Sequence, residues 1–198
     1  MASKDRILRL KDETRIKILE AAYKIVKEEG WQALSMRKIA DEIEYTAPII
    51  YEYFANKEAI LEELNKKGYR LLLNRLEDAK SKHELPADQL EAMWMAYWNF
   101  AFAQKELYQL MFGVSMNCCM VQKAPEIEAP SVLISNVIRE LMNGSNPSDN
   151  EVCKRYFTFW SVVHGLISIN IVNRGTSDEL NRQILKDAIG GIIKSITG

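Results

Sequence analysis

The sequence has few of the residues that build covalent or metal-linked scaffolds. Its 198 residues include three cysteines and two histidines. Cys118 and Cys119 are adjacent and Cys153 stands alone, so neither a disulfide framework nor a Cys-x-x-Cys spacing is present. His83 and His164 are far apart in the chain, which argues against a histidine-based zinc site. We therefore expect no cofactor, no metal and no catalytic centre, and we expect the thiols to be buried or half-buried.

The sequence also lacks a long apolar run and an apolar leader. No segment is apolar over the length that a bilayer requires, and the charged N-terminus MASKDRILRLKDE does not resemble a secretory signal. With 47% hydrophobic and 27% charged residues, the composition is typical of a folded protein and excludes a mainly disordered one. We expect a cytoplasmic protein with no membrane partner.

The chain also lacks an excess of charge of either sign, since the formal net charge is -1. Residues 1–57, with eleven Lys/Arg and ten Asp/Glu, are also nearly neutral. Residues 1–11 are the exception, with Lys4, Arg6, Arg9 and Lys11 against Asp5. This basic arm is suited to following a phosphate backbone, although a solvated tail is the alternative.

Helical periodicity recurs along the chain, and no convincing strand alternation is present, so we predict an all-α fold. Apolar residues at helical spacing predict a first helix over residues 12–29, which Gly30 ends as a C′ residue. Asn56 is placed to cap a fourth helix that continues to about Lys80. The polar segment around Pro86 predicts a joint between a head, residues 1–55, and a body, residues 81–198, with residues 56–80 as connector.

The body is predicted to contain five more helices. Ser148 with Glu151 and Thr176 with Glu179 have the spacing of capping boxes at two helix starts. The predicted helices cover roughly residues 87–103, 104–112, 126–143, 148–173 and 177–196.

Residues 35–61 contain two short helical patterns separated by a tight break. Ser35 is a good N-cap, and Ile39 shares an apolar stripe with Ala40 and Ile43. The second pattern starts at Thr46, whose hydroxyl is expected to cap the backbone, and Pro48 in the first turn needs no intrahelical donor. So short a break forces the helices to cross sharply, as in a helix-turn-helix that presents its second helix to DNA.

Three motifs in this region resemble the DNA-binding domain of the TetR family of transcriptional regulators over residues 14–61. They are Gly30-Trp31, Ser35-Met36-Arg37-Lys38-Ile39-Ala40 and Tyr51-Glu52-Tyr53-Phe54-Ala55-Asn56-Lys57-Glu58. Trp160, His164 and Gly165 further resemble the Trp-x-x-x-His-Gly element of one subgroup of TetR C-terminal domains.

The resemblance implies a homodimer joined through the last two helices and an effector cavity in the body. It also implies two heads spaced for adjacent major grooves of a palindromic double-stranded operator. By the same resemblance, Thr46, Tyr51 and Lys57 contact phosphate, while Ser35 and Arg37 grip the flanking backbone. Arg37 has the alternative of pairing with a surface acid, and the aromatics Tyr51, Tyr53 and Phe54 have the alternative of packing in the core, which the spacing favours for Phe54.

The start of the recognition helix offers Ala47 and Pro48 where Arg, Asn or Gln would read guanine or adenine. We hypothesise that these residues contact thymine methyl groups, aided by Tyr45 or Tyr53 and by DNA shape. Glu44 occupies a turn position where the family usually has glycine, so the turn must accommodate a side chain.

The body contains an unusual concentration of aromatic and methionine residues in LEAMWMAYWNFAF. Aromatic-lined apolar pockets commonly bind small molecules, and flexible methionines such as Met116 and Met120 help a pocket to adapt. The alternative is a close-packed core or dimer surface, and His164 is expected to be a packing residue. The candidate ligand-binding residues are Met93, Trp94, Tyr97, Trp98, Met111 and Trp160.

These features predict a repressor that a partly apolar small-molecule effector releases from DNA. A helical interaction module whose head has lost DNA binding is the alternative, because the head is nearly neutral. An enzyme ranks lower, since no nucleophile-base pair, phosphate loop or metal cluster is evident.

Overall fold

The computed structural model describes residues 2–113, 124–142 and 146–198, and the described residues form helices and connecting turns without any strand. Cys118, Cys119, Met116 and Met120 lie outside the described residues. The predicted all-α fold is confirmed. The helices are α1 Ala2–Glu29, a 3-10 turn Trp31–Ala33, α2 Met36–Glu42, α3 Ala47–Tyr53, α4 Lys57–Lys80, α5 Pro86–Ala103, α6 Lys105–Phe112, α7 Pro125–Leu141, α8 Asp149–Ile171 and α9 Asp178–Thr197.

The chain divides into two compact units by its backbone contacts. The first unit includes residues up to Lys67 and the end of α6 from Gln109, and the second includes Gly68 to Tyr108 and the chain from α7 onward. The division falls inside α4, so this helix contributes to both units.

The first unit has a core of apolar residues contributed by α1, α2, α3 and the start of α4. Their shared property is near-complete burial, which removes apolar surface from water and is the main favourable contribution to folding. The buried set is Ile18, Ala22, Ile25, Val26, Ile39, Ala40, Ile50, Phe54, Ile60 and Leu64. The expectation that Phe54 packs in the core is confirmed.

Helix α1 begins at Ala2, ten residues before the predicted start at Asp12. The basic arm is therefore the first part of a helix and not a tail. Residues 2–29 contain no glycine or proline, and Lys, Arg and Leu favour helix, so nothing in the chain interrupts it. Ile7, Leu8 and Leu10 on this extension are half-exposed, which explains why a burial pattern did not reveal it.

The caps in the first unit follow the sequence with one exception. The Ser35 side chain accepts a hydrogen bond from the backbone N–H of Lys38 at 3.2 Å, and Asn56 Oδ1 accepts one from Ala59 at 2.9 Å. Gly30 has a φ of 82° and ends α1 as predicted. Thr46 is the N-cap residue of α3, but its hydroxyl makes no capping hydrogen bond, so that part of the prediction is wrong.

The turn between α2 and α3 is held by Glu44 in the left-handed region, with a φ of 58°. The N–H of Tyr45 donates to the carbonyl of Ala40 at 2.9 Å, and the N–H of Glu44 donates to that of Asp41 at 3.3 Å. These two bonds form a Schellman motif, in which glycine is the preferred residue at the left-handed position. The helix-turn-helix geometry is thus reached in spite of the glutamate.

The second unit is centred on α5, which packs against α7, α8 and α9. The hydrophobic face of each of these helices is buried in a shared core. The buried residues are Leu90, Met93, Trp94, Tyr97 and Ala101 of α5, Ile134, Val137 and Ile138 of α7, Val152, Phe159, Val163 and Ile167 of α8, and Leu185 and Ile189 of α9.

The starts of the last two helices differ in how well the sequence predicts them. The capping box of Ser148 and Glu151 is present in both directions. The predicted box of Thr176 and Glu179 is wrong by one residue, because Ser177 is the N-cap and accepts from the N–H of Leu180 at 3.3 Å. The carbonyl of Thr176 accepts from Asn181 Nδ2 at 3.1 Å instead.

Cys153 is exposed on α8, contrary to the expectation of a buried or half-buried thiol. Among the described residues, no helix combines the length and apolar character needed to cross a membrane.

Candidate nucleic-acid interface and ligand-binding core

The N-terminal end of α3 presents its side chains to solvent. Tyr45, Thr46, Pro48 and Tyr51 are exposed, with Tyr51 at 54%, whereas Ala47 is half-buried. Proline in the first turn is compatible with the helix because its missing N–H has no intrahelical acceptor there. The Thr46 hydroxyl accepts no capping hydrogen bond, so its oxygen as well as its O–H is available to an outside partner.

The other end of α3 is fixed by Arg15. Its Nη1 donates to the carbonyl of Tyr53 at 3.3 Å, and its guanidinium carbon lies 4.4 Å from the centre of the Phe54 ring. Its Nη2 also lies 3.7 Å from Glu63 of α4. A cation at the C-terminal carbonyls is favourable for the helix dipole, so Arg15 holds the recognition helix in place.

The start of α2 supplies Ser35 and Arg37, both of which are exposed. Two neighbouring cations are engaged, since Lys38 pairs with Glu29 and Lys24 Nζ lies 2.6 Å from Glu42. Within the part of the chain that the structure describes, no ion pair or hydrogen bond involves the Arg37 side chain. The alternative in which Arg37 pairs with a surface acid is therefore not seen there.

Lys57 has an internal contact that the sequence did not reveal. Its side chain is half-buried and its Nζ donates to the carbonyl of Trp31 at 3.3 Å. This bond joins the start of α4 to the 3-10 turn within the same unit. Tyr53, the last residue of α3, is half-buried as well.

Two carboxylates also lie on the exposed side of this region and were missed as functional residues. Glu44 in the turn and Glu52 in α3 are both exposed. Their negative charge opposes the binding of a polyanion such as DNA. Their positions in and beside the predicted recognition helix were the feature of the sequence that could have revealed them.

In the second unit, Trp94 is the centre of an aromatic cluster. Its ring stacks on Phe159 at a centroid distance of 5.6 Å, and the rings of Tyr97 and Tyr156 lie at 5.5 Å and 6.1 Å. Trp94 is fully buried, and its indole Nε1 has no hydrogen-bond partner among the residues that the structure describes. A buried donor without an acceptor is unfavourable and uncommon in folded proteins.

A hydrogen-bond chain runs beside Trp94. Trp160 Nε1 donates to the Tyr97 hydroxyl at 3.1 Å, Tyr97 donates to Tyr108, and Tyr108 lies 2.5 Å from His164 Nδ1. Ser168 lies 3.4 Å from His164 Nε2. With Tyr108 as donor to Nδ1, the imidazole carries its proton on Nε2 and is uncharged.

Burial keeps the titratable members of this region neutral. It raises the pKa of Tyr69 and of Tyr156 to about 12, and it raises the pKa of Tyr97 and of Tyr108 well above the ordinary value. Burial lowers the pKa of His164, which favours the uncharged imidazole. The region therefore offers polar groups without a formal charge at neutral pH.

Five of the six candidate ligand residues belong to the second unit. Met93, Trp94, Tyr97 and Trp98 are buried on α5, and Trp160 is half-buried on α8. Met111 lies at the end of α6, which is grouped with the first unit. None of the six lines the groove of about 440 Å³ that lies beside Met95, Ala96, Asn99 and Phe100 on another side of α5.

A three-helix head with a crossed helix pair, joined to a larger helical unit, defines the class of helix-turn-helix regulators. The family model for bacterial regulatory proteins of the tetR family matches residues 18–64, and that for the tetracyclin repressor-like C-terminal domain matches residues 90–185. The chain belongs to the TetR family of transcriptional regulators. The narrower subgroup defined by Trp160, His164 and Gly165 stays a prediction.

Similar proteins agree with this assignment. An uncharacterized HTH-type transcriptional regulator of Haemophilus influenzae is 31% identical over 83 residues, which are 42% of this chain and 44% of that protein. The match thus spans less than half of that relative's length. A protein of unknown function from Rhodococcus sp. RHA1 shares the fold with a TM-score of 0.79 at 20% identity, covering 93% of this chain and 95% of that chain.

The FadR repressor of Thermus thermophilus, whose structure is a complex with lauroyl-CoA, has the same fold. Its TM-score is 0.64 at 17% identity, and the alignment covers 92% of each chain.

Proposed function

We propose that the protein is a homodimeric, ligand-released transcriptional repressor that binds a palindromic operator. The observation that carries this function is the exposure of Thr46 and Tyr51 on α3, together with an exposed Arg37 on α2 whose side chain has no partner among the described residues. Hydroxyl groups, a guanidinium and the free N–H groups of a helix start are all suited to phosphate oxygens.

Each DNA-contact residue has a distinct proposed role. Thr46, Tyr51 and Ser35 donate hydroxyl hydrogens to phosphate, and Arg37 supplies the charge. Lys57 binds phosphate only by exchanging its bond with the Trp31 carbonyl, so its main role in the free protein is to fix the start of α4. Ala47 and Pro48, with Tyr45 or Tyr53 alongside, read thymine methyl groups and groove shape.

Homodimer formation is supported by an apolar face on α8 and α9 that this chain alone leaves exposed. Val162 and Ile169 on α8, Val172 at its C-cap, and Leu180 and Ile184 on α9 are between 37% and 60% exposed. Such a face on two adjacent helices is typical of a protein-protein interface.

Glycines on the same two helices support a second copy as the occupant. A Cβ at Gly165, Gly190 or Gly191 would meet nothing within 4 Å, so packing within the chain does not require glycine there. Glycine inside a helix costs about 1 kcal/mol relative to alanine. A close approach of another helix, as in a symmetric dimer, accounts for this choice.

Release by a ligand requires that the effector bind the free form better than the DNA-bound form. The body offers an aromatic core with an unpaired indole donor. Because α4 contributes residues to both units, this helix is the element through which a change in the body reaches the head. A repressor of this fold, FadR of Thermus thermophilus, has been crystallised with lauroyl-CoA, which is consistent with a body that takes small molecules.

The decisive experiment is selection of an operator from random duplexes, followed by a salt titration of the Arg37→Gln variant. Loss of one phosphate contact should weaken binding across sequences and reduce the slope of log K against log salt by about 0.9 per contact. Lys38→Gln is the matched control because Lys38 is already paired with Glu29.

Two outcomes would contradict the proposal. If Arg37→Gln left both affinity and slope unchanged while Lys38→Gln altered them, the proposed role of Arg37 would be wrong. If the wild-type protein bound no duplex in the pool at low salt, the chain would instead be an interaction module, in keeping with its eleven Lys/Arg and ten Asp/Glu in residues 1–57.

A further inference from the structure

The chemistry of the aromatic cluster restricts which effector it can bind. Trp94 is buried completely, and its Nε1 is the donor that remains without an acceptor in the cluster. The neighbouring donors are used in sequence, from Trp160 to Tyr97, from Tyr97 to Tyr108 and from Tyr108 to His164. Trp94 therefore needs an acceptor from a bound molecule, whereas the donors of the hydrogen-bond chain from Trp160 to His164 do not.

The orientation of the Trp94 ring limits where such an acceptor arrives. One face of the indole is stacked on Phe159 with an interplanar angle of 19°, and the tilted rings of Tyr97 and Tyr156 lie beside it. The N–H lies in the plane of the indole, so its partner approaches along the ring edge. A flat ring in that position would also contact the aromatic neighbours edge to face or offset, which is the favoured geometry.

Charge is missing from this part of the molecule. Of the polar and charged residues that the structure describes, only Asn181 is buried, and it is paired with Asn170. Arg139 bonds with Asp149, Arg155 bonds with Ser195 and Arg70 lies 4.0 Å from Glu126, all on exposed or half-exposed surface. A carboxylate or phosphate inside the cluster would be desolvated without a buried cation, which is strongly unfavourable.

We propose that the effector is an uncharged, ring-containing molecule whose carbonyl, ether or hydroxyl oxygen accepts a hydrogen bond from Trp94 Nε1. The inference rests on the proposed function, because it assigns the ligand of the same regulatory body. It excludes a molecule that places a carboxylate or a phosphate at Trp94, such as a free fatty acid bound there by its head group.

The test is a titration of the full-length protein, labelled with 15N at its tryptophans, with four probes of matched ring size. An acetylnaphthalene and a naphthol are neutral acceptors, naphthalene has no oxygen, and naphthoate is an anion. We expect the Trp94 Nε1–H resonance to shift with the two neutral acceptors. Their affinity should exceed that of naphthalene by about tenfold and that of naphthoate by about a hundredfold.

Two variants separate the hydrogen bond from packing. Trp94→Phe removes the donor and keeps a ring, so it should reduce binding of the neutral acceptors to the level of naphthalene. Trp31→Phe removes another buried indole donor without a partner in the described residues, in the first unit and outside the aromatic cluster of Trp94, so it is the matched control and should leave the ratio between acetylnaphthalene and naphthalene unchanged. If Trp94→Phe does not fold, the relative affinities of the wild-type protein for the four probes still test whether a neutral acceptor is preferred.

The proposal is overturned if naphthoate binds as tightly as the neutral acceptors, if neither neutral acceptor binds, or if Trp94→Phe keeps the wild-type ratio. No DNA is present in this titration, so its result is independent of operator binding. A second assay with the selected operator asks whether the neutral probes release it. Failure there with intact binding at Trp94 would count against ligand release and not against the chemistry of the site.

Discussion

Glu44 is the residue on which the geometry of the helix-turn-helix depends most directly. Its left-handed φ of 58° costs a non-glycine residue about 1–2 kcal/mol, whereas glycine adopts it freely. We predict that Glu44→Gly raises the free energy of unfolding by about 0.5–1 kcal/mol, after the greater entropy of glycine in the unfolded chain is counted. Urea denaturation followed by circular dichroism measures this change.

Asn173→Gly is the matched control for Glu44→Gly, since Asn173 has a φ of 56° but asparagine tolerates the left-handed region well. Its gain should be smaller. A loss of stability in Glu44→Gly would mean that the carboxylate makes a contribution larger than the backbone strain it imposes.

At single positions, the sequence predicted backbone roles better than side-chain partners. Ser35 and Asn56 were correctly expected as caps because their chemistry acts over three residues of local chain. Thr46 was expected to cap and does not, since a hydroxyl at a correct position is free to point elsewhere. The partner of Lys57 is the carbonyl of Trp31, 26 residues away, and no local pattern encodes so distant a contact.

At the scale of the element, the start of α9 offers a direct check on the observed cap. We predict that Ser177→Ala lowers the free energy of unfolding by about 1 kcal/mol, because it removes the acceptor for the N–H of Leu180. Thr176→Ala should have a clearly smaller effect, since only the Thr176 carbonyl is used and alanine retains it. Thermal or urea unfolding of the two variants side by side would contradict the assigned cap if Thr176→Ala were the more damaging.

Helices with a buried stripe and a clear start signal were predicted to within about two residues. The signal is a proline in the first turn of α5 and the capping box of α8. The early start of α1 was missed because Ile7, Leu8 and Leu10 are half-exposed and supply no burial pattern. The predicted N-cap of α9 was wrong by one residue because Thr176 and Ser177 are both acceptable caps. Local sequence does not distinguish between two adjacent hydroxyl residues.

At the scale of the whole molecule, the family assignment followed from the head motifs, while the chemistry of the body came from the fold. The concentration of aromatics in α5 suggested a ligand site, but sequence could not tell which rings meet. The structure brings Trp94 of α5 against Phe159 of α8, 65 positions later in the chain. Within the described part of the chain, Trp94 Nε1 has no partner. Such an unpaired donor is a product of tertiary packing and has no signature in the order of residues.

The proposed association of two copies is the prediction about the whole molecule that can be tested most sharply. We predict that Ile184→Glu converts a dimer to a monomer, because it places a charge on the apolar face of α8 and α9, where Ile184 is 41% exposed. Val132→Glu is the matched control, since Val132 is a 52% exposed aliphatic residue on α7, outside that face, and should leave the dimer intact. Sedimentation velocity over a range of protein concentrations measures the state of each variant. This face does not join two copies if the wild-type protein sediments as a monomer at all concentrations, or if the Ile184→Glu variant stays dimeric. If the variant is a monomer, its binding to the proposed palindromic operator should also weaken, because each half-site then binds one head alone.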